Sequence, residues 1–242
     1  MNLLKTQIYF FLSFLEISML FLFLACEPTG TTYKGSSLYT YLPLDGAREW
    51  SYSLEMDEAT AEGYTGLQEI DALKVAEENV NSYTKVTIEY SQDNGVGETG
   101  TPLLRITWSS DASNGIAIHG YENLQSGESA VVFDTPVLLA EPQMLKGTTL
   151  ESATNSGGTV SSNYIGIEPC PNKWTAELDE PWNCAYFEIS SEEGLPFDGA
   201  WWFATSWGTS LFQIDSGPLS AEYIWSLAKS EWDSEFVSPS AE

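Results

Sequence analysis

The chain has 242 residues, of which 35 are Asp or Glu and 9 are Lys or Arg, so its formal net charge at pH 7 is −26. A surface this acidic repels nucleic acid and anionic lipid headgroups, which excludes a nucleic-acid partner. The single histidine excludes a histidine-rich metal site. We expect no metal and no cofactor.

Residues 1–25 have the layout of an export signal. Lys5 precedes an almost wholly apolar run that ends at Leu24, and the small residue Ala25 follows. Glu16 lies near the middle of the run and would cost roughly 2.5 to 3.5 kcal/mol in a retained membrane span. We therefore expect a helical signal peptide that is cleaved off. An ordinary secretory signal and a transmembrane anchor are the alternatives.

Cys26 follows this run directly, in the sequence Phe23-Leu24-Ala25-Cys26. The sequence resembles the signal of bacterial lipoproteins, in which a short apolar and small box precedes a cysteine that receives a diacylglyceryl group. The resemblance implies that Cys26 is lipidated and becomes the first mature residue. It also implies a protein of the bacterial cell envelope, held to a membrane by its N-terminal lipid on the periplasmic face or the cell surface. We expect residues 26–37 to form the lipidated cysteine and a flexible polar tether.

The segment Tyr41-Leu42-Pro43-Leu44-Asp45-Gly46-Ala47-Arg48-Glu49-Trp50-Ser51-Tyr52 opens the folded part. With its Y-x-P-L start and W-x-Y end, it resembles the opening of a broad group of β-rich bacterial lipoproteins without an assigned activity. The resemblance implies a β-rich fold and no reaction. The residues themselves predict a hairpin start, because Pro43 suits a strand edge and Trp50 and Tyr52 share one face of the next strand.

Residues 38–229 are predicted to form a single β-rich domain. Strand-like alternation recurs in segments such as Tyr83–Tyr90, Leu103–Trp108 and Gly115–Tyr121, and turn sequences such as Gln92-Asp93-Asn94-Gly95 separate them. Regular short strands with such turns favour an all-β, mainly antiparallel fold in which a curled sheet forms a half-barrel, barrel or sandwich.

Two segments stand apart from this pattern. Residues 68–79 place apolar side chains at roughly helical spacing, but part of the segment also suits a strand, so helix and strand both remain open. Residues 230–242 are acidic, and we expect a mostly disordered tail.

His119 is the one residue through which a Ser-His-Asp triad would have to run. Strand alternation places it on the face opposite Ile116 and Ile118, so we expect a solvent-facing or simply hydrogen-bonded strand histidine. The sequence contains no G-x-S-x-G elbow, no P-loop and no H-E-x-x-H motif. We therefore predict no catalytic residue.

Cys170 and Cys184 remain as a pair once Cys26 is lipidated, and an exported protein folds in an oxidising compartment. We predict that they form a disulfide, which would close a loop of about 15 residues and contribute on the order of 3 kcal/mol. A metal site is the alternative, but no histidine lies nearby and Pro169 and Pro171 flank one cysteine.

The late part of the chain is rich in tryptophan, with Trp174, Trp182, Trp201, Trp202 and Trp207. Because neighbours on a strand point to opposite faces, either Trp201 or Trp202 should lie off the main core unless a second layer covers it. Core packing is one explanation of the cluster. The other is a platform for a sugar ring or an apolar ligand, with Trp182 and Trp202 as the exposed candidates.

Three hypotheses for the function follow. The first is a lipid-anchored exported lipoprotein with a non-catalytic structural or interaction role in the cell envelope. The second is a module that binds a lipid or a glycan in an aromatic-lined concavity. The third is a carboxylate-dependent hydrolase, which the abundance of acidic residues allows but does not specify.

Overall fold

The computed structural model of the protein describes residues 36–44, 47–80, 82–92, 100–171, 183–205 and 208–232. These ranges contain fourteen β-strands, a short 3-10 helix η1 (Leu38–Tyr41) and a short α-helix α1 (Glu58–Gly63). The strands are β1 (Ser36–Ser37), β2 (Ala47–Leu54), β3 (Glu69–Val80), β4 (Tyr83–Gln92), β5 (Thr101–Asp111), β6 (Gly115–Asn123), β7 (Val131–Ala140), β8 (Gln143–Met144), β9 (Thr149–Ala153), β10 (Thr159–Pro169), β11 (Asn183–Ser191), β12 (Gly199–Ala204), β13 (Gly208–Ile214) and β14 (Trp225–Trp232). Neither helix in these ranges is long and apolar enough to span a membrane.

Twelve strands form one antiparallel sheet in the order β7-β6-β5-β4-β3-β2-β14-β13-β12-β11-β10-β9. Neighbours in the sheet are also neighbours in the chain, except that β14 pairs with β2 and so brings the first and last long strands together. Strands β1 and β8 form a separate short pair. The prediction of an all-β, mainly antiparallel fold is confirmed.

The segment 68–79, left open between helix and strand, lies almost entirely in β3. Ile70 and Ala72 are buried in the core, whereas Leu73 is 43% exposed. Buried and less buried side chains alternate over the first half of the segment, which is the pattern of a strand. At the other end of the chain, β14 ends at Trp232, three residues into the segment that the sequence predicts to be a tail.

The two edge strands of the sheet meet and close it into a barrel shape. The Leu138 amide of β7 donates to Ser152 Oγ of β9 at 3.0 Å, and Ser162 Oγ of β10 donates to the Leu139 carbonyl at 2.9 Å. The Asn155 side chain accepts from the Asp134 amide at 2.9 Å. Side chains therefore join the edges where a ladder of backbone hydrogen bonds would join two ordinary neighbours. We call this junction the seam.

Large aromatic side chains fill the interior of the barrel. Trp108, Trp201 and Phe212 are each at most 1% exposed. The Trp108 and Trp201 rings lie edge to face with centroids 5.4 Å apart, and Trp201 stacks on Phe212 at 5.1 Å. Trp50 and Tyr52 belong to the same core, with exposures of 3% and 2%. The expectation that the W-x-Y positions share a buried face is confirmed.

Helix η1 lies at one end of the barrel, which we call the mouth. Leu38 and Leu42 are at most 1% exposed and anchor the segment in the core. The Leu38 amide donates to the Pro142 carbonyl at 3.2 Å, and Ser110 Oγ donates to the Tyr39 carbonyl at 2.8 Å. The described chain therefore enters the fold across the mouth.

A disulfide joins Cys170, just after β10, to Cys184 on β11. Pairing of β10 with β11 sets Glu168 opposite Cys184 and so brings the two cysteines together. Both are buried, with exposures of 5% and 0%. The predicted disulfide is confirmed.

Replacing both cysteines tests what this disulfide contributes. We expect the Cys170→Ala/Cys184→Ala variant to lose about 3 kcal/mol of unfolding free energy, because its unfolded chain is no longer restricted by a closed loop of about 15 residues. Urea unfolding of the oxidised wild type and the variant measures the difference. Reduced wild type should unfold with the variant, and coincident curves for variant and oxidised wild type would contradict the expectation.

Candidate functional site

Two cavities open at the mouth, one on each side of η1. The first has a volume of about 560 Å³ and lies between η1 and the β3–β4 turn. The second has a volume of about 640 Å³ and lies between η1 and the segment joining β7 to β8. Tyr39 and Ala112 line both cavities. We call the two cavities together the mouth groove.

Tyr39 is held in place from both sides. Its neighbours Leu38 and Leu42 are buried, and its carbonyl accepts the Ser110 hydroxyl at 2.8 Å. The Tyr39 side chain itself is only partly buried. The backbone is therefore fixed while part of the side chain remains accessible between the two cavities.

The β5–β6 turn forms a rigid wall of the groove. The Asp111 carboxylate accepts from the amides of Ser113 and Asn114 at 2.8 and 2.9 Å. Gly115 ends the turn with φ +80°, and a Cβ added there would lie 1.9 Å from the Ala140 carbonyl oxygen. Only glycine fits both the conformation and the space, so the shape of this wall is built into the sequence.

The lining of the groove mixes polar and apolar groups. The first cavity exposes more apolar than polar surface, the second exposes more polar than apolar surface, and none of the described lining residues is Lys or Arg. The Lys74 ammonium lies at the edge of the first cavity, where it pairs with the lining residue Glu77 at 2.6 Å and donates to the Leu44 carbonyl at 3.2 Å. The polar lining residues include Thr40, Glu77, Thr84, Ser110, Glu141 and Gln143.

A polar cluster of Ser109, His119 and Tyr83 lies between the groove and the wall of the barrel. His119 is 6% exposed, and its Nε2 lies 2.8 Å from Ser109 Oγ. Its ring stacks on Tyr83, a groove residue, with centroids 5.4 Å apart and planes 15° from parallel. The register of β6 shifts at His119 in its pairing with β5 and in its pairing with β7. His119 is therefore a bulge position, at which the regular alternation of the strand is interrupted. Of the two expectations for His119, the hydrogen-bonded one is correct.

The pKa of His119 is lowered from its ordinary value of 6.5 to about 4. Burial is the main cause, because it disfavours the charged imidazolium, and the positive charge of Lys85 adds to the effect. Glu78 opposes the shift and does not outweigh it. The imidazole is therefore neutral at pH 7.

The Ser109–His119 pair has the geometry of a nucleophile and its base, but not the accessibility. Ser109 is 2% exposed, so a substrate cannot reach its hydroxyl in this structure. A hydroxyl and a neutral imidazole that satisfy each other also meet the requirement that buried polar groups be hydrogen-bonded. The pair holds the Tyr83 ring against the barrel wall.

Trp202 lies on the outer surface of the barrel, in a small cluster with Cys170, Cys184, Ala204 and Leu211 that we call the outer cluster. The expected split between Trp201 in the core and Trp202 off it is correct. The expected exposure of Trp202 is wrong, because the residue is only 7% exposed.

Tyr186 supplies part of the cover over this tryptophan. Its ring stacks on Trp202 with centroids 4.5 Å apart and planes 6° from parallel. The Trp202 indole also donates to Glu168 Oε1 at 3.1 Å. A second layer thus covers the indole face, which the sequence analysis left open between packing and a ligand.

Several predicted positions lie outside the described residues. These are the lipidation candidate Cys26, the ligand-binding candidate Trp182, and two further tryptophans, Trp174 and Trp207. Within the described part of the chain, no group of three or more His, Cys, Asp or Glu side chains is arranged to hold a metal ion.

Sequence reasoning missed the mouth groove. Its walls come from η1, two turns and the β7–β8 segment, which are far apart in the chain. The one local signal was the Y-x-P-L segment, since Leu42, Pro43 and Leu44 line the groove.

Comparison with known proteins gives little. No protein-family model matches the chain, and no curated protein matches it. One solved structure that resembles it is a crystal structure of "a putative exported protein with YMCC-like fold" from Bacteroides fragilis NCTC 9343. The two share 11% sequence identity over 77% of this chain and 94% of the other, with a TM-score of 0.36.

The lowered pKa of His119 predicts a pH-dependent contribution to stability. Between pH 6.5 and about 4 the unfolded chain binds a proton at His119, whereas the folded chain does not. Neutral His119 therefore makes its full contribution to the free energy of unfolding above pH 6.5, and this contribution is lost as the pH falls to about 4. We expect it to be on the order of 3 kcal/mol.

The His119→Gln variant keeps a neutral hydrogen-bonding side chain without titrating in this range. Urea unfolding of the variant and the wild type at several pH values should show a stability difference that changes between pH 4 and 6.5. Because the carboxylates titrate in both proteins, their effect cancels in the difference. A difference that is constant with pH would show that the pKa of His119 is not lowered.

Proposed function

We propose that the protein is a lipid-anchored exported protein of the bacterial cell envelope, with a non-catalytic structural or interaction role. The number of cysteines and their pairing support this proposal. The chain has three cysteines, and Cys170 and Cys184 bond to each other. Cys26 therefore has no cysteine left in the chain to pair with, and it follows Phe23-Leu24-Ala25 at the end of the apolar run. Lipidation accounts for both its position and its lack of a partner.

The place where the chain enters the fold sets the reach of such an anchor. Ser36, the first residue of β1, lies ten positions after Cys26 in the chain. A fully extended chain of that length spans at most about 35 Å. Because β1 leads directly into η1, the mouth would be the end of the barrel tied to the membrane.

Charge and burial support the rest of the proposal. A net charge of −26 opposes adsorption to anionic headgroups, so acyl chains rather than electrostatic attraction would hold the protein on a membrane. The burial of Ser109 and of the only histidine supports a role without nucleophilic catalysis.

A second candidate function is a ligand-binding module, and the mouth groove is the observation that favours it. Each cavity falls within the size range of small-molecule sites. The barrel interior is occupied by its own aromatic side chains, so the groove is the better place for a ligand.

Metabolic labelling tests the anchor. The full chain would be expressed in a bacterial host fed an alkyne analogue of palmitate. We expect wild type to carry the label and to sediment with membranes. The Cys26→Ser variant should lose the label, because the serine hydroxyl cannot form the thioether to the diacylglyceryl group.

The Cys170→Ala/Cys184→Ala variant is the matched control and should keep the label. Equal labelling of wild type and Cys26→Ser would rule out lipidation at this residue. An unlabelled wild type that is released in soluble form would favour an ordinary secretory signal.

A further inference from the structure

We propose that the mouth groove binds a neutral oligosaccharide, with Tyr39 as the stacking surface between its two cavities. This inference deepens the ligand-binding candidate and rests on it, but it does not require Cys26 to be lipidated. Four properties of the groove lead to this ligand class: its charge, its hydrogen-bonding character, its aromatic residue and its rigidity.

Charge excludes anionic ligands. The described lining residues include Glu77, Asp111 and Glu141 but no Lys or Arg. The chain around them carries a net charge of −26. A phosphorylated, sulfated or carboxylated ligand would meet repulsion from these carboxylates, and the nearby cation Lys74 is already paired with Glu77. The ligand is therefore neutral or cationic.

Two of the three described lining carboxylates already have partners, which favours a neutral ligand over a cation. Glu77 forms an ion pair with Lys74 at 2.6 Å. Asp111 accepts from the amides of Ser113 and Asn114 and from the Asn114 side chain. The ion pair offsets the charge of Glu77, and the hydrogen bonds occupy lone pairs of Asp111 that a cation would need.

Three hydroxyl groups of the groove are committed as donors. Thr40 Oγ1 donates to the Ser37 carbonyl at 2.7 Å, and Thr84 Oγ1 donates to Asn79 Oδ1 at 2.9 Å. Ser110 Oγ donates to the Tyr39 carbonyl. A hydroxyl has one proton and two lone pairs, so each of these oxygens keeps the capacity to accept.

These acceptors favour a ligand that carries donors. The carboxylate oxygens of the lining also only accept. A sugar satisfies this condition without charge, because most of its ring carbons carry an O–H group. An acyl chain does not, since it would cover the free lone pairs of these oxygens without supplying a donor.

Tyr39 supplies the apolar contact that a sugar ring needs. Pyranose rings present C–H groups on one face, and these pack against aromatic rings. Because Tyr39 lines both cavities, successive sugar units of one chain can lie on either side of it. The fixed backbone of η1 and the rigid β5–β6 turn keep the groove in shape before the ligand arrives, which lowers the entropy lost on binding.

Calorimetric titration of the exported full-length protein tests the proposal. The protein is extracted in lauryldimethylamine oxide, because maltoside and glucoside detergents would themselves compete for a sugar site. The neutral probes are maltotriose, cellotriose and N,N′-diacetylchitobiose, and the charged probes are spermine and trigalacturonate. We expect at least one neutral probe to bind at millimolar concentration and trigalacturonate not to bind.

Four variants locate the site. Tyr39→Ala should weaken binding of the neutral probe by about 3- to 10-fold, whereas Tyr39→Phe should keep most of the affinity. Glu77→Gln tests the alternative of a cationic ligand, because it removes a carboxylate of the groove that would attract spermine. Tyr186→Ala is the matched control, since Tyr186 is also a partly buried tyrosine but lies at the outer cluster, and it should bind as wild type does. Thermal unfolding of each variant confirms that it is folded.

Three outcomes would overturn the proposal. The first is that no neutral probe binds at millimolar concentration. The second is that spermine binds and Glu77→Gln abolishes its binding, which would assign the groove to cations. The third is that a sugar binds equally well to Tyr39→Ala and wild type. This last result would show that the protein binds a sugar at another site. Loss of the lipid label in the labelling experiment would not by itself contradict binding at the groove.

Discussion

The structure depends on the closure of one long sheet around its own aromatic side chains. A sheet of twelve strands has two edges, and each exposed edge presents unpaired backbone groups that invite aggregation. Here the edges meet at the seam, where Ser152, Asn155 and Ser162 of the β9–β10 region bond to the backbone of β7. Pro136 within β7 lacks an N–H group and suits an edge strand. Closure lets the Trp and Phe residues of both halves of the sheet share a single core.

The filled core explains why the candidate site lies at the end of the barrel. Side chains such as Trp108 and Trp201 occupy the interior. The end of the barrel is different, because η1 covers it with two buried leucines and leaves cavities on either side. The polar ends of the strands and their turns line these cavities. The core that stabilises the fold therefore leaves the mouth as the place of the candidate site.

Much of the fold could be predicted from the sequence, because period-two alternation and turn residues are local signals. The opposite faces of Trp201 and Trp202 followed from the same rule, and the disulfide followed from the cysteine count and the compartment. Local rules could not supply the order of the strands or their closure, since both depend on long-range pairing such as β14 with β2. They also could not show that Tyr186 covers Trp202, because that contact depends on cross-strand register.

The candidate site was predicted less well for a related reason. Sequence reasoning looked for exposed aromatic side chains, but the barrel core buries four of the five tryptophans whose side chains the structure describes. The groove is built from short polar segments, each of which looks like an ordinary turn in the sequence. His119 shows the same limit, since alternation gave its face but could not give its partners Ser109 and Tyr83. Sites assembled from several distant turns require the fold before they can be recognised.

Hydrogen exchange at the seam tests the central claim most directly. The Leu138 and Asp134 amides are the donors that cross from β7 to Ser152 and Asn155. If the sheet is closed, both amides should be protected to within about tenfold of the central amides of β5, because they can exchange only when the barrel opens. Exchange as fast as that of an exposed turn would show that β7 is a free edge, and would contradict a closed barrel.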